Sequence, residues 1–177
     1  MMGGPGARSA TGLLLIAVLT LTTACSGDAG TSRLNSGTPD LHVSSAQSSA
    51  AVAGASQLVL RIENRGDGDD RLLGADTDVA LTIEIHLTAI EADGRASMRM
   101  LDDVLLPAGE TVAFRPGGLH LMLVVPDERV TVGGTFEVVL RFERSAPVTR
   151  TVTVVELLDL VESADATDGA GTDADRG

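Results

Sequence analysis

Past residue 40 the chain is punctuated by a turn signal roughly every 8–12 residues, and the segments between the turns alternate apolar and polar side chains. "QLVLRIEN" (57–64), "ALTIEIHLTAIEADG" (80–94), "FRPGGLHLMLVV" (114–125), "GTFEVVLRFERS" (134–145) and "VTRTVTVVELL" (148–158) all read this way. "SMRMLDDVLLPAGET" adds a short strand and a turn, and "RGDGDD" (65–70) is a turn built from the residues turns favour. No stretch shows the 3.6-residue period of an amphipathic helix. Such a chain can bury its apolar faces only sheet against sheet. The predicted fold is therefore all-β, an antiparallel Greek-key sandwich or barrel over residues 41–158.

The core must be aliphatic, because the chain has three Phe and no Trp or Tyr. The formal net charge is −12, and every basic residue is Arg. With no basic patch and no aromatic platform, nucleic acid is excluded as a partner.

The first 24 residues read as a secretory signal: Arg8, then the apolar run "GLLLIAVLTLTTA", shorter than the roughly 20 residues needed to span a bilayer. The run ends at Cys25, the only cysteine. "LTTAC" resembles the lipobox of bacterial lipoproteins, which implies cleavage before Cys25, lipidation of its thiol, and a membrane-anchored chain on the extracytoplasmic face. Thr22 stands where Leu is commonest in that motif. Removing residues 1–24 takes away Arg8 and no acid, so −12 becomes −13. Residues 25–40 are expected to be a flexible tether, and residues 159–177 an acidic tail without structure.

The chemistry-bearing residues are few. On the strand around 80–90, Leu81, Ile83, Ile85 and Leu87 share one face, and Thr82, Glu84, His86 and Thr88 share the other. In "LHLMLVV", Leu119, Leu121 and Leu123 face the core, which leaves His120 and Met122 together on the opposite, solvent-side face. "SMRM" puts Met98 and Met100 on one face of a third strand. Taken singly, a strand histidine is usually a surface residue, and paired methionines are usually core. As a set, two His and two or three Met form a neutral, soft donor group that prefers Cu(I) over Zn(II), Mg(II) or Ca(II). No catalytic triad can be assembled from three His and a Cys confined to the leader region, so the chain is not read as an enzyme. "DGDD" (67–70) fails as a calcium loop, with Leu72 where Gly is required. His42 stands apart at the start of the domain, a weak candidate for an extra ligand.

These residues resemble the periplasmic copper chaperones of the PCuAC type. His86 and Leu87 are followed by ten residues and Met98, then by twenty-one residues and His120-Leu121-Met122. That is the family's ligand spacing, with Leu87 in place of an optional Met. The flanking text "LPAGETVAFRPGGLHLML" is also similar. The resemblance implies a cupredoxin-like fold. It also implies a metal site of His86, Met98, His120 and Met122 that holds Cu(I), and sometimes also Cu(II), for delivery to the copper centres of cytochrome c oxidase or another copper carrier. Family spacing favours Met98 over Met100, which is expected to pack at the rim. The residues alone leave open a non-metal β-sandwich lipoprotein, a structural or interaction module of the envelope. A blue-copper carrier is disfavoured, since that site needs a Cys thiolate.

Overall fold

The structure, a computed structural model, describes Met1, residues 34–91 and residues 93–168, with the backbone alone at 163–168. The leader expected at 1–24 beyond Met1, Cys25, the first part of the tether and residues 169–177 lie outside the described residues.

Eleven strands follow in chain order: β1 (Leu41–Val43), β2 (Ala46–Ser49), β3 (Ala55–Asn64), β4 (Asp70–Asp76), β5 (Ala80–Ile90), β6 (Ala96–Leu101), β7 (Val104–Leu106), β8 (Thr111–Phe114), β9 (Leu119–Pro126), β10 (Thr135–Phe142) and β11 (Val148–Val155). Helix α1 (Leu157–Asp168) closes the order. The strands pair in the order β6-β5-β9-β3-β2-β11-β10-β4-β7, with β1 and β8 attached to β3. The predicted all-β class holds. One pair departs from the antiparallel rule: β11 runs parallel to β2, because it joins that strand's free edge after its own hairpin with β10.

β3 organises the whole. Its first half pairs with β9 and β2, and its second half with β8 and β1. Its even-numbered apolar residues, Leu58, Leu60 and Ile62, point into the core with Leu72, Ile83, Ile85, Leu121, Leu123, Val138, Leu140 and Val152. Burying each such aliphatic side chain contributes roughly 1.5–3 kcal/mol. Leu81, grouped by the alternation with Ile83 and Ile85, is instead exposed. The β5–β9 ladder skips Leu81 and Val125, and Val125 sits at a φ of 50°, so the pleat that buries Ile83 does not extend to Leu81.

Two expectations about the ends are corrected. Residues 34–40 are not free tether. Asn35 N–H donates to Asp69 (2.8 Å), Thr38 N–H donates to Asp67 (2.7 Å), and the Arg144 guanidinium holds the carbonyls of Asn35 and Gly37. The approach is so close that a Cβ on Gly66 or Gly68 would collide with the carbonyls of Thr38 or Gly37. The acids of "RGDGDD" thus receive backbone N–H groups, as turn acids do. The acidic tail, expected to lack structure from 159, begins as α1. Leu160 is fully buried, and its N–H donates to the Glu156 carbonyl (3.0 Å), so one apolar anchor ties the first turn down.

Asp70 is the buried acid of this region. Its carboxylate accepts from the backbone N–H groups of Arg71 (2.7 Å), Arg144 (2.9 Å) and Ser145 (2.9 Å), joining β4 to the loop between β10 and β11. Asp70→Ala leaves three donors without their partner and is expected to cost roughly 2–4 kcal/mol of stability. Urea denaturation of the purified protein measures this. A loss under about 0.5 kcal/mol, the range of an ordinary surface substitution, would contradict it.

Candidate metal centre

The β5–β9 register decides the site. His86 lies directly opposite His120, and Glu84 lies opposite Met122. On the other side of β5, Met100 lies opposite His86, and Met98 lies opposite Thr88. Because opposed residues in a sheet share a face, His86, Met98, Met100, His120 and Met122 all present to one side. The structure therefore brings all four predicted residues onto one contiguous surface of β6, β5 and β9, with Met100 among them. His42 is elsewhere, paired with Glu63 between β1 and β3.

The two imidazoles are held in defined orientations. Glu84 Oε2 lies 2.8 Å from His86 Nε2, and the Gly118 carbonyl lies 2.9 Å from His120 Nδ1. Both oxygens are acceptors, so the proton of each ring occupies the bonded nitrogen. The lone pairs then fall on His86 Nδ1 and His120 Nε2. Both of these atoms are buried and have no hydrogen-bond partner. The rings meet edge to face with centroids 5.8 Å apart. A buried nitrogen without a partner costs about 1–3 kcal/mol, and here two occur side by side. A carboxylate or carbonyl behind a ring nitrogen, with the other nitrogen free, is the usual support of a metal-binding histidine.

The face is drier than expected. The alternation places His120 on a solvent-side face, yet it is 0% exposed. The His86 side chain is 14% exposed. The thioethers of β6 differ sharply: Met98 is 52% and Met100 63% exposed, since β6 is an edge strand. Met100 does not pack at the rim as expected. It stands open to solvent across from His86.

Among the described residues no three His, Cys, Asp or Glu side chains converge to hold a metal ion. Any metal here depends on sulfur completing the two imidazoles, which selects soft ions. Sequence reasoning placed Glu84 on the correct face but gave it no role; the signal was its position two residues before His86. It missed Gln57, which lies across from Met122 and whose Oε1 is likewise buried without a partner. Nothing in the sequence distinguishes that glutamine from an ordinary strand residue.

This is a cupredoxin-like β-sandwich with a His–Met face, the fold of PCuAC domains. The copper-bound PCuAC domain from PmoF2 superposes with a TM-score of 0.56 at 26% identity, covering 66% of this chain and 92% of that one. The Cu(I) form of DR1885 from Deinococcus radiodurans gives 0.54 at 23% identity, over 64% of this chain and 77% of that one, and shows the shared fold. The family model "Putative lipoprotein LpqE-like" matches residues 39–154, and the chain belongs to that family. A Leifsonia xyli subsp. xyli protein, "Putative lipoprotein Lxx21020", is 28% identical over 102 residues, 58% of this chain and 61% of that protein's length. The family is thus described as one of lipoproteins, and the PmoF2 neighbour as a copper-bound domain.

Burial holds His120 below the ordinary histidine range; the Gly118 carbonyl opposes this, and nearby His86 adds a smaller downward push. In the unfolded chain the ring titrates near 6.5. Above about pH 6.5 both states are neutral and the full stability is present. Below it the unfolded chain takes up the proton first, so stability falls as pH drops toward the lower folded value. The metal-free protein should therefore melt at progressively lower temperature below about pH 6.5. His120→Gln should flatten that decline, and calorimetry of both proteins across this range checks it. An equal or steeper decline in the variant would contradict the assignment.

Proposed function

We propose that this protein is a lipid-anchored, extracytoplasmic copper chaperone that carries Cu(I) as cargo on His86, Met98, His120 and Met122 and delivers it to the copper centres of cytochrome c oxidase. The observation that carries the reading is the pair of buried, partnerless imidazole nitrogens, His86 Nδ1 and His120 Nε2, at facing positions with thioethers on either side. Two neutral nitrogens and neutral sulfurs suit a soft monovalent ion and give a divalent one no compensating charge. Thioethers do not form disulfides, so the site survives outside the cytoplasm. The copper-bound state of the PmoF2 domain supports the same cargo here. The non-metal alternative, an envelope interaction module, gives no reason for two buried nitrogens to lack partners.

A competition titration with a chromophoric Cu(I) chelator, on the full chain in detergent under reducing conditions, tests the reading. One equivalent of Cu(I) should bind. His120→Ala and Met98→Leu should each weaken binding by at least about tenfold, or 1.4 kcal/mol, while His42→Ala changes little. Met98→Leu nearly conserves volume, so the fold should survive at a cost below about 1.5 kcal/mol. No binding, or equal loss for His42→Ala, would refute the site.

The membrane anchor is a separate claim that rests on Cys25. Lipoproteins of this type carry more than one acyl chain, which suffices for stable anchoring where a single chain is marginal. Cys25→Ala should shift the protein from the membrane to the soluble or unprocessed fraction. A variant that fractionates and migrates like the parent would mean that no lipid is attached there.

A further inference from the structure

Met100 is the one thioether on the site face that the proposed ligand set leaves without a role, and it is the most exposed of them. It lies in one row with the two histidines, His120–His86–Met100, across β9, β5 and β6. Facing residues in such a row have Cβ atoms about 4.5–5.5 Å apart. Met98 is displaced by two positions along β6, about 6.8 Å. The free nitrogens of the row are buried, whereas Met100 is 63% exposed. Further along the same face, past Met98, Ile90 is 71% exposed. An incoming acceptor therefore cannot reach the imidazole lone pairs but can reach the β6 sulfurs. A methionine side chain has three rotatable bonds, and at this exposure no core packing resists its movement.

We infer that Met100 is the exit ligand: it binds Cu(I) transiently as the ion leaves His86 and His120, and presents it to an acceptor with neutral sulfur or nitrogen donors that approaches the β6 edge. The inference rests on the proposed Cu(I) site. In the exchange, a Cu–S bond to Met100 forms as a Cu–N bond breaks. The imidazole keeps its lone pair, the copper remains Cu(I), and no proton moves, because a thioether does not titrate. The acceptor's donor then displaces the remaining protein ligands in the same way. Without Met100 the exposed sulfur left on β6 is Met98, which already holds the ion, so no additional outer bond can form ahead of the break of an inner one; this slows release and leaves the resting affinity largely intact.

The test measures equilibrium and rate on the same proteins, as full chains in detergent loaded with Cu(I). Bathocuproine disulfonate serves as acceptor, with its colour followed by stopped flow. For Met100→Leu, affinity should stay within about threefold of the parent while transfer slows by at least about tenfold. Met100→His, which restores a neutral donor at that position, should recover most of the rate. Met98→Leu should instead lower affinity. An unchanged transfer rate for Met100→Leu would overturn the exit role. An affinity loss for Met100→Leu as large as that for Met98→Leu would overturn it too, by making Met100 a resident ligand. If the parent takes up no Cu(I), the proposed site itself fails and the exit role falls with it. Circular dichroism of each variant confirms that the β fold is retained.

Discussion

The antiparallel register of β5 against β9 is the constraint on which the site depends. Pairing Ile83 with Leu123 and Ile85 with Leu121 buries four aliphatics in one core, and the same ladder sets His86 opposite His120. A slip of one residue would turn the apolar row outward and the histidines inward, so the core's burial free energy also fixes the histidine pair. The His–Met face needs no separate positioning device, since it is the reverse side of the buried aliphatic row of β5 and β9.

That economy leaves a local cost. An interior strand position is dry, and an imidazole there loses water on both nitrogens. The Gly118 carbonyl satisfies one nitrogen of His120, and Glu84 satisfies one of His86. The remaining two stay without partners, and stability elsewhere must offset them. Residues such as Asp70 and Asn64 help to do so. The Asn64 side-chain amide donates to the carbonyls of Gly68 and Leu106, and its oxygen accepts from the N–H groups of Asp40 and Gly66. The polar interior is saturated at the turn end of the domain and left open at the two histidines. A soft monovalent ion could close the second set at the cost of a single positive charge.

The edge position of β6 gives the face its second property. On this edge strand Met98 and Met100 remain in solvent beside buried nitrogens. A carrier needs this gradient, with donors inside that hold the ion and donors outside that an acceptor can meet.

The sequence by itself determined the β class and the alternation that puts His86, His120 and Met122 opposite the leucines and isoleucines. These follow from a period of two, which any extended strand obeys whatever its neighbours. It did not determine how deep each residue lies. His120 reads as a solvent-side residue and Met100 as one packed at the rim, yet His120 is wholly buried and Met100 open. Strand order is set by long-range pairing that local pattern does not encode. The same holds for Glu84 behind His86, for the docking of residues 34–40 on the acids of "RGDGDD", and for the helix that begins the acidic tail. Each depends on a partner distant in sequence or on a single buried anchor, and only the tertiary structure decides which of several chemically equal residues meets it.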